Sequence, residues 1–161
     1  MKRENGMKAA VTTLALMVLA LPAAAQKGGP AQVFPAVEIK HQLDQLAGPA
    51  REKGSSGATL ADFGSHALKL SLRSSSGGAE VHGHFDDVMV VTQGTATLVT
   101  GGSLVDPETG ADGEIKGASI HDGVSQTIVV GDIVHVPAGT PHQLLIPKGT
   151  LFSAFVVKVR E

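Results

Sequence analysis

Between residues 66 and 73 the chain reads "HALKLSLR", an alternation that puts His66, Leu68, Leu70 and Leu72 on one face of a strand and Ala67, Lys69, Ser71 and Arg73 on the other. The same period of two recurs in short segments at 79–84, 88–93, 95–100, 126–130, 132–136, 143–146 and 151–159. Gly94, Gly101-Gly102, Gly131 and Pro147-Lys148-Gly149 mark the bends between them. Many short strands at this spacing predict an all-β sandwich or barrel. Its interior is expected to be lined mainly by Val, Leu, Ile and Met, including Val88, Met89, Val90 and Val91. Arg73 and Glu80 read as solvent-facing.

Two stretches break the rhythm, and a third precedes it. Val37, Ile39, Leu43 and Leu46 fit a short amphipathic helix from Ala36 to about Leu46, which "AGPAREKGSSGA" then closes with glycine, proline and serine. Residues 101–124 are long for a hairpin connection and carry five acidic residues against one lysine, either a solvated excursion or a lid. At the start, Lys2, Arg3 and Lys8 precede an apolar run from Ala9 to Leu21 and an Ala-x-Ala ending. This pattern predicts a signal peptide over residues 1–25, cleaved before Gln26, and hence export to the periplasm or the extracellular space. The predicted organisation is therefore signal peptide 1–25, linker and short helix 26–59, and β-barrel 60–161.

Charge and composition narrow the function. Without residues 1–25, which hold Lys2, Arg3, Lys8 and Glu4, there remain 10 basic and 14 acidic residues, a net charge of −4. An acidic chain lacks the basic footprint that nucleic acid or an anionic membrane surface requires, and no stable membrane insertion is expected after cleavage. Cysteine is absent, which excludes disulfides, thiolate ligands, cysteine nucleophiles and a lipidated leading cysteine. Tyr and Trp are absent too, so sugar recognition by aromatic stacking is disfavoured and a phenolic acid is impossible.

The chemistry concentrates in "VHGHFDD" at 81–87 and in "GDIVHVPAGTPHQLLI" at 131–146. In a continuous strand His82 and His84 project to the same side as a chelating pair. The Pro137-x-Gly139 turn can return a third imidazole, His142, toward them. Of the other histidines, His66 shares the leucine face and is expected to be a core residue or to stand behind the site. His41 and His121 read as solvated, and His135, just before the Pro-x-Gly turn, can equally face inward or outward.

Together these two stretches resemble the cupin family. Its first motif is glycine, His-x-His, three or four residues, Glu, six residues and Gly, met here at His82, His84 and Gly94. Its second is Gly, five residues, Pro-x-Gly, two residues, His, three residues and Asn, met at Gly131, Pro137, Gly139 and His142, with Ile146 in place of the Asn. The resemblance covers residues from about 60 to 159 and implies a double-stranded β-helix, or jelly roll. It also implies one divalent metal (Fe, Mn, Ni, Cu or Zn) held by His82, His84, Asp87 and His142. Six residues separate Asp87 from Gly94, which puts it where the family has Glu; Asp86 competes for that role, and a three-histidine site is the other alternative. Two functions are compatible: a metal-dependent enzyme of oxygenase, isomerase or lyase type acting on a small molecule, or a barrel that binds a metal or an apolar ligand without turnover. A homodimer is expected by the same analogy, with the C-terminal run "LFSAFVVKV" as edge strand or interface.

Overall fold

The computed structural model describes residues 29–161; the expected signal peptide and its cleavage point lie outside the described residues. Helix α1 (Ala36–Lys53) opens the folded unit, which spans Phe34–Glu161. Its stripe of buried and half-buried positions is Ile39, Gln42-Leu43, Leu46-Ala47 and Ala50, at helical spacing, whereas Val37 is exposed. The helix runs two turns past its predicted end. Pro49 forfeits one backbone hydrogen bond, but Ala50 is fully buried, and the carbonyls of Leu46 and Ala50 accept from Ser56 Oγ (2.9 Å) and Ser74 Oγ (2.6 Å). Tertiary contacts thus outweigh the local breakers. Gly54 ends the helix in the left-handed region, its N–H donating to Ala50 O at 2.8 Å.

Strands follow in chain order: β1 (Ser55–Asp62), β2 (His66–Arg73), β3 (Ala79–His82), β4 (Phe85–Gln93), β5 (Thr95–Thr100), β6 (Ser103–Val105) and β7 (Glu108–Thr109). Then come β8 (Glu114–Gly117), β9 (Ser119–His121), β10 (Val124–Val129), β11 (Ile133–Val136), β12 (His142–Leu145) and β13 (Phe152–Arg160). One antiparallel sheet has the order β1-β2-β13-β4-β11, a second β10-β5-β12-β3-β8-β7, and β6 and β9 form a ribbon. The all-β jelly roll is therefore present. Strand β1 lies in the stretch read as a linker, and the 101–124 excursion is largely β-structure. The C-terminal strand is not an edge, because β13 sits between β2 and β4. Among the described residues no helix is long and apolar enough to cross a membrane.

Register decides which side of the first sheet faces the second. Phe152, Ala154 and Val156 belong to the core shared by both sheets, with Met89 and Val91 from one and Leu98, Ile128 and Leu144 from the other. Across the ladder these three stand opposite Arg73, Ser71 and Lys69, so β2 turns its polar face inward. Leu70 and Leu72 pair instead with Phe155 and Ser153 on one side and with Ala58 and Ser56 on the other. They are nearly fully buried on the outside of the sheet, where α1 packs on β1 and β2. The expected orientation is inverted for β2 because a helix supplies the leucines with a second apolar layer. It is half right for β4, whose Met89 and Val91 point in while Val88 and Val90 pair with Val157 and Phe155 on the outer face.

Candidate metal centre

The site begins where β3 stops. Gly83 and His84 form a tight turn, and a Cβ on Gly83 would lie 2.8 Å from the carbonyl oxygen of Gly113, so only glycine lets the two backbones meet. The Gly83 N–H donates to that same oxygen at 3.0 Å. With the strand ended at His82, His84 is carried onto the turn, exposed, its ring against Gly113. His84 is therefore not among the residues whose ligand atoms converge with that of His82, although the two were expected to pair.

The face-sharing partner of His82 is the residue two positions before it, Glu80, not the one two positions after. On the neighbouring strand His142 stands directly opposite Glu80. Glu80, His82 and His142 each offer a ligand atom, and these atoms all lie within 4.8 Å of one another. Period two already assigns residues 80 and 82 to one side of a strand, so the signal for Glu80 was in the sequence; reading it as solvent-facing was the error.

Both imidazoles are oriented by acceptors behind them. His82 Nδ1 lies 2.6 Å from Glu114 Oε2 and His142 Nδ1 lies 3.0 Å from the carbonyl of Thr140. A carboxylate and a carbonyl only accept, so each ring donates from Nδ1; in the neutral form its Nε2 lone pair then faces the site, whereas a protonated His82 donates from Nε2 toward Asp87 Oδ2. Ring centroids stand 5.0 Å apart. An acceptor behind Nδ1 is the usual companion of a metal-ligating imidazole. Glu114 comes from β8, in the segment read as an acidic excursion, and lies opposite His82 in the β3–β8 ladder. Burial pulls the His142 pKa below its ordinary value, against the bond to Thr140, which raises it. For His82 burial acts downward too, but the neighbouring carboxylates of Asp87 and Glu114 outweigh it, and the net shift is upward.

The paired aspartates divide the work. Asp87 points inward on β4, buried, with Oδ2 3.4 Å from His82 Nε2 and Oδ1 accepting from Lys158 Nζ at 3.1 Å. Burial raises its pKa, but the bond to His82 and the charge of Lys158 pull it below the usual value. It stands beside the Glu80–His82–His142 group rather than within it. Asp86 points out and accepts from the Ala138 N–H at 2.7 Å and from His135 Nε2 at 3.1 Å. Those two bonds hold its pKa down, the backbone one first. Asp86 thereby ties to β4 the Pro137–Gly139 turn that leads into His142. His66 is on the outer face, stacked on Phe63 with Nδ1 3.0 Å from Ser65 Oγ, and it does not line the site.

A cavity of about 250 Å³ opens onto the group. Besides the two histidines and Glu80 it is lined by Asp87, Lys69, Arg73 and Lys158, with Met89, Leu144 and Val156 toward the apolar core. Arg73, expected in solvent, is thus part of the site wall, as is Lys69. Such a wall can seat a small molecule beside three ligand atoms, with charged groups to orient it.

No family model and no curated protein matches the sequence. Solved structures do. A Klebsiella pneumoniae protein with a double-stranded β-helix domain aligns over 81% of this chain and 91% of its own at a TM-score of 0.56 and 14% identity. TT1209 from Thermus thermophilus aligns over 73% and 93% at 0.51 and 15%. The Schizosaccharomyces pombe Cnp3 cupin domain aligns over 66% of this chain at 0.50 and 9%, and this chain spans 61% of that one. Agreement at such low identity speaks to architecture, and with two opposed antiparallel sheets around one core the fold of this chain is the cupin double-stranded β-helix.

Proposed function

We propose that the barrel is an exported metal-dependent enzyme of oxygenase, isomerase or lyase type, with Glu80, His82 and His142 holding one divalent transition metal. The observation that carries the reading is the convergence of one ligand atom each from Glu80, His82 and His142 within 4.8 Å, with an acceptor behind the Nδ1 of both imidazoles. Two imidazoles and one carboxylate are a donor set that Fe, Mn, Ni, Cu and Zn all accept. When bound, such a metal supplies a Lewis acid with positions left open for a small ligand. The protein's own part is orientation. Glu114 and Thr140 fix the rings, Asp86 anchors the turn that leads into His142, and the Asp87–Lys158 pair places charge beside the open space. Charged groups in the cavity favour turnover over passive storage of an apolar ligand. Export is proposed from the basic, apolar and Ala-x-Ala pattern of residues 1–25.

The test is elemental analysis of protein exported from its host and purified without a histidine tag, beside His142→Ala and Glu80→Gln. One transition metal per chain, lost in both variants, is the expected result. No metal in the parent protein, even after reconstitution with each of the five ions, overturns the proposal.

A further inference from the structure

We propose that the cavity takes a small organic carboxylate, recognised by Arg73 and Lys69; this deepens the reading above and rests on it for the identity of the site.

The argument starts from unbalanced cations. Three basic side chains line the cavity: Lys69, Arg73 and Lys158. Lys158 is matched by Asp87 at 3.1 Å. Lys69 is half-buried on the inward face of β2 and enters no ion pair among the described residues. Arg73 has only a long contact, Nη2 to Glu80 Oε1 at 3.4 Å, and its Nε is buried without any partner. A guanidinium offers five donors in a planar fork, and a buried donor left unpaired costs stability unless something fills it. Glu80 reaches only Nη2 and leaves Nε without a partner.

The guanidinium lies against the 74–78 loop. The 74–78 loop over it is fixed to β12, with Gln143 Nε2 donating to Gly77 O (2.8 Å) and the Ile146 N–H to Ser76 Oγ (2.9 Å). A Cβ on Gly77 would collide with Arg73 Nη1, so glycine leaves the room that the guanidinium occupies. A planar fork with an unpartnered donor suits the two oxygens of a carboxylate. Lys69 stands four residues away on the same face, about 13 Å along the strand at roughly 3.3 Å per residue, and can reach a second oxygen group. A cavity of about 250 Å³ has room for a small organic acid between them.

The experiment is calorimetric titration of malonate, its neutral counterpart malonamide and inorganic phosphate into the exported protein. The same titrations are run on Arg73→Gln and Lys69→Gln, with metal content and urea midpoint recorded for each. Malonate is expected to bind and malonamide not. Arg73→Gln should weaken malonate at least tenfold and Lys69→Gln about threefold, with metal content unchanged. If Arg73→Gln does not fold, the half-exposed Lys69→Gln carries the test. Malonate and malonamide binding alike, or neither binding to metal-loaded protein, overturns the inference while leaving the metal intact. Phosphate binding tighter than malonate also overturns it. Malonate binding through Arg73 in a protein that holds no metal would overturn the metal reading instead.

Discussion

Along β13 the inward side chains run Phe152, Ala154, Val156, Lys158; along β4 they run Val91, Met89, Asp87; at β12 they run Ile146, Leu144, His142. The same strands therefore build a dry end and a polar end of one interior. At the dry end side chains need only volume and fit, and full burial of each large one contributes about 1.5–3 kcal/mol. At the polar end every charge needs a partner, since a buried polar group without one is costly. His82 has Glu114 and Asp87, His142 has Thr140, and Asp87 has Lys158. The polar end is thus specified by pairwise geometry and the dry end by bulk.

If that contrast holds, substitutions at the two ends should separate stability from metal content. Phe152→Ala, at a fully buried position, is expected to lower unfolding stability by about 4 kcal/mol in urea titrations while the folded fraction keeps its metal. Loss of metal from folded Phe152→Ala protein would show that the ends are not separable. Lys158→Met strands the Asp87 carboxylate and should cost about 3 kcal/mol, with much of that recovered in Lys158→Met/Asp87→Leu. The pair also fixes an acid response. Because the folded Asp87 pKa lies below its ordinary 3.8, its contribution is complete above about that pH and is lost as pH falls through the depressed value. Stability measured against pH in the double variant should lack that loss.

Smaller effects sharpen the polar end itself. Glu114→Ala should weaken metal affinity by about 10- to 100-fold in chelator competition, because His82 keeps its Nε2 but loses the acceptor that aims it. An unchanged affinity would mean that Glu114 only pairs β8 with β3. His84→Ala should do least: the residue is exposed on a turn, so stability should move by no more than about 0.5 kcal/mol and metal content not at all. A His84→Ala protein emptied of metal would restore the His82–His84 pair and displace Glu80 from the proposed group.

Much of the fold was legible before the structure, and the failures share one cause. The strands at 66–73, 95–100 and 132–136 and the turn at Pro137–Gly139 follow from alternation and breakers, and the structure has them. Missing were the last two turns of α1, strand β1 and the pairing of β8 with β3, each held by contacts to residues distant in the chain. Glu114 could not be found from sequence, because a 32-residue separation closes only through the β3–β8 ladder. Glu80 could have been, by extending the strand backward from His82 instead of forward.

The alternation of β2 and the pair of aspartates that must face opposite ways are written in the sequence alone, whereas the stop of β3 at Gly83 depends on its close approach to Gly113. Which face of β2 looks inward was decided by α1: a period of two separates two sides but does not say which of them another element will cover. Which histidines meet was decided by the register of β3 against β12 and β8, where a shift of one residue would turn every one of these side chains to the other side.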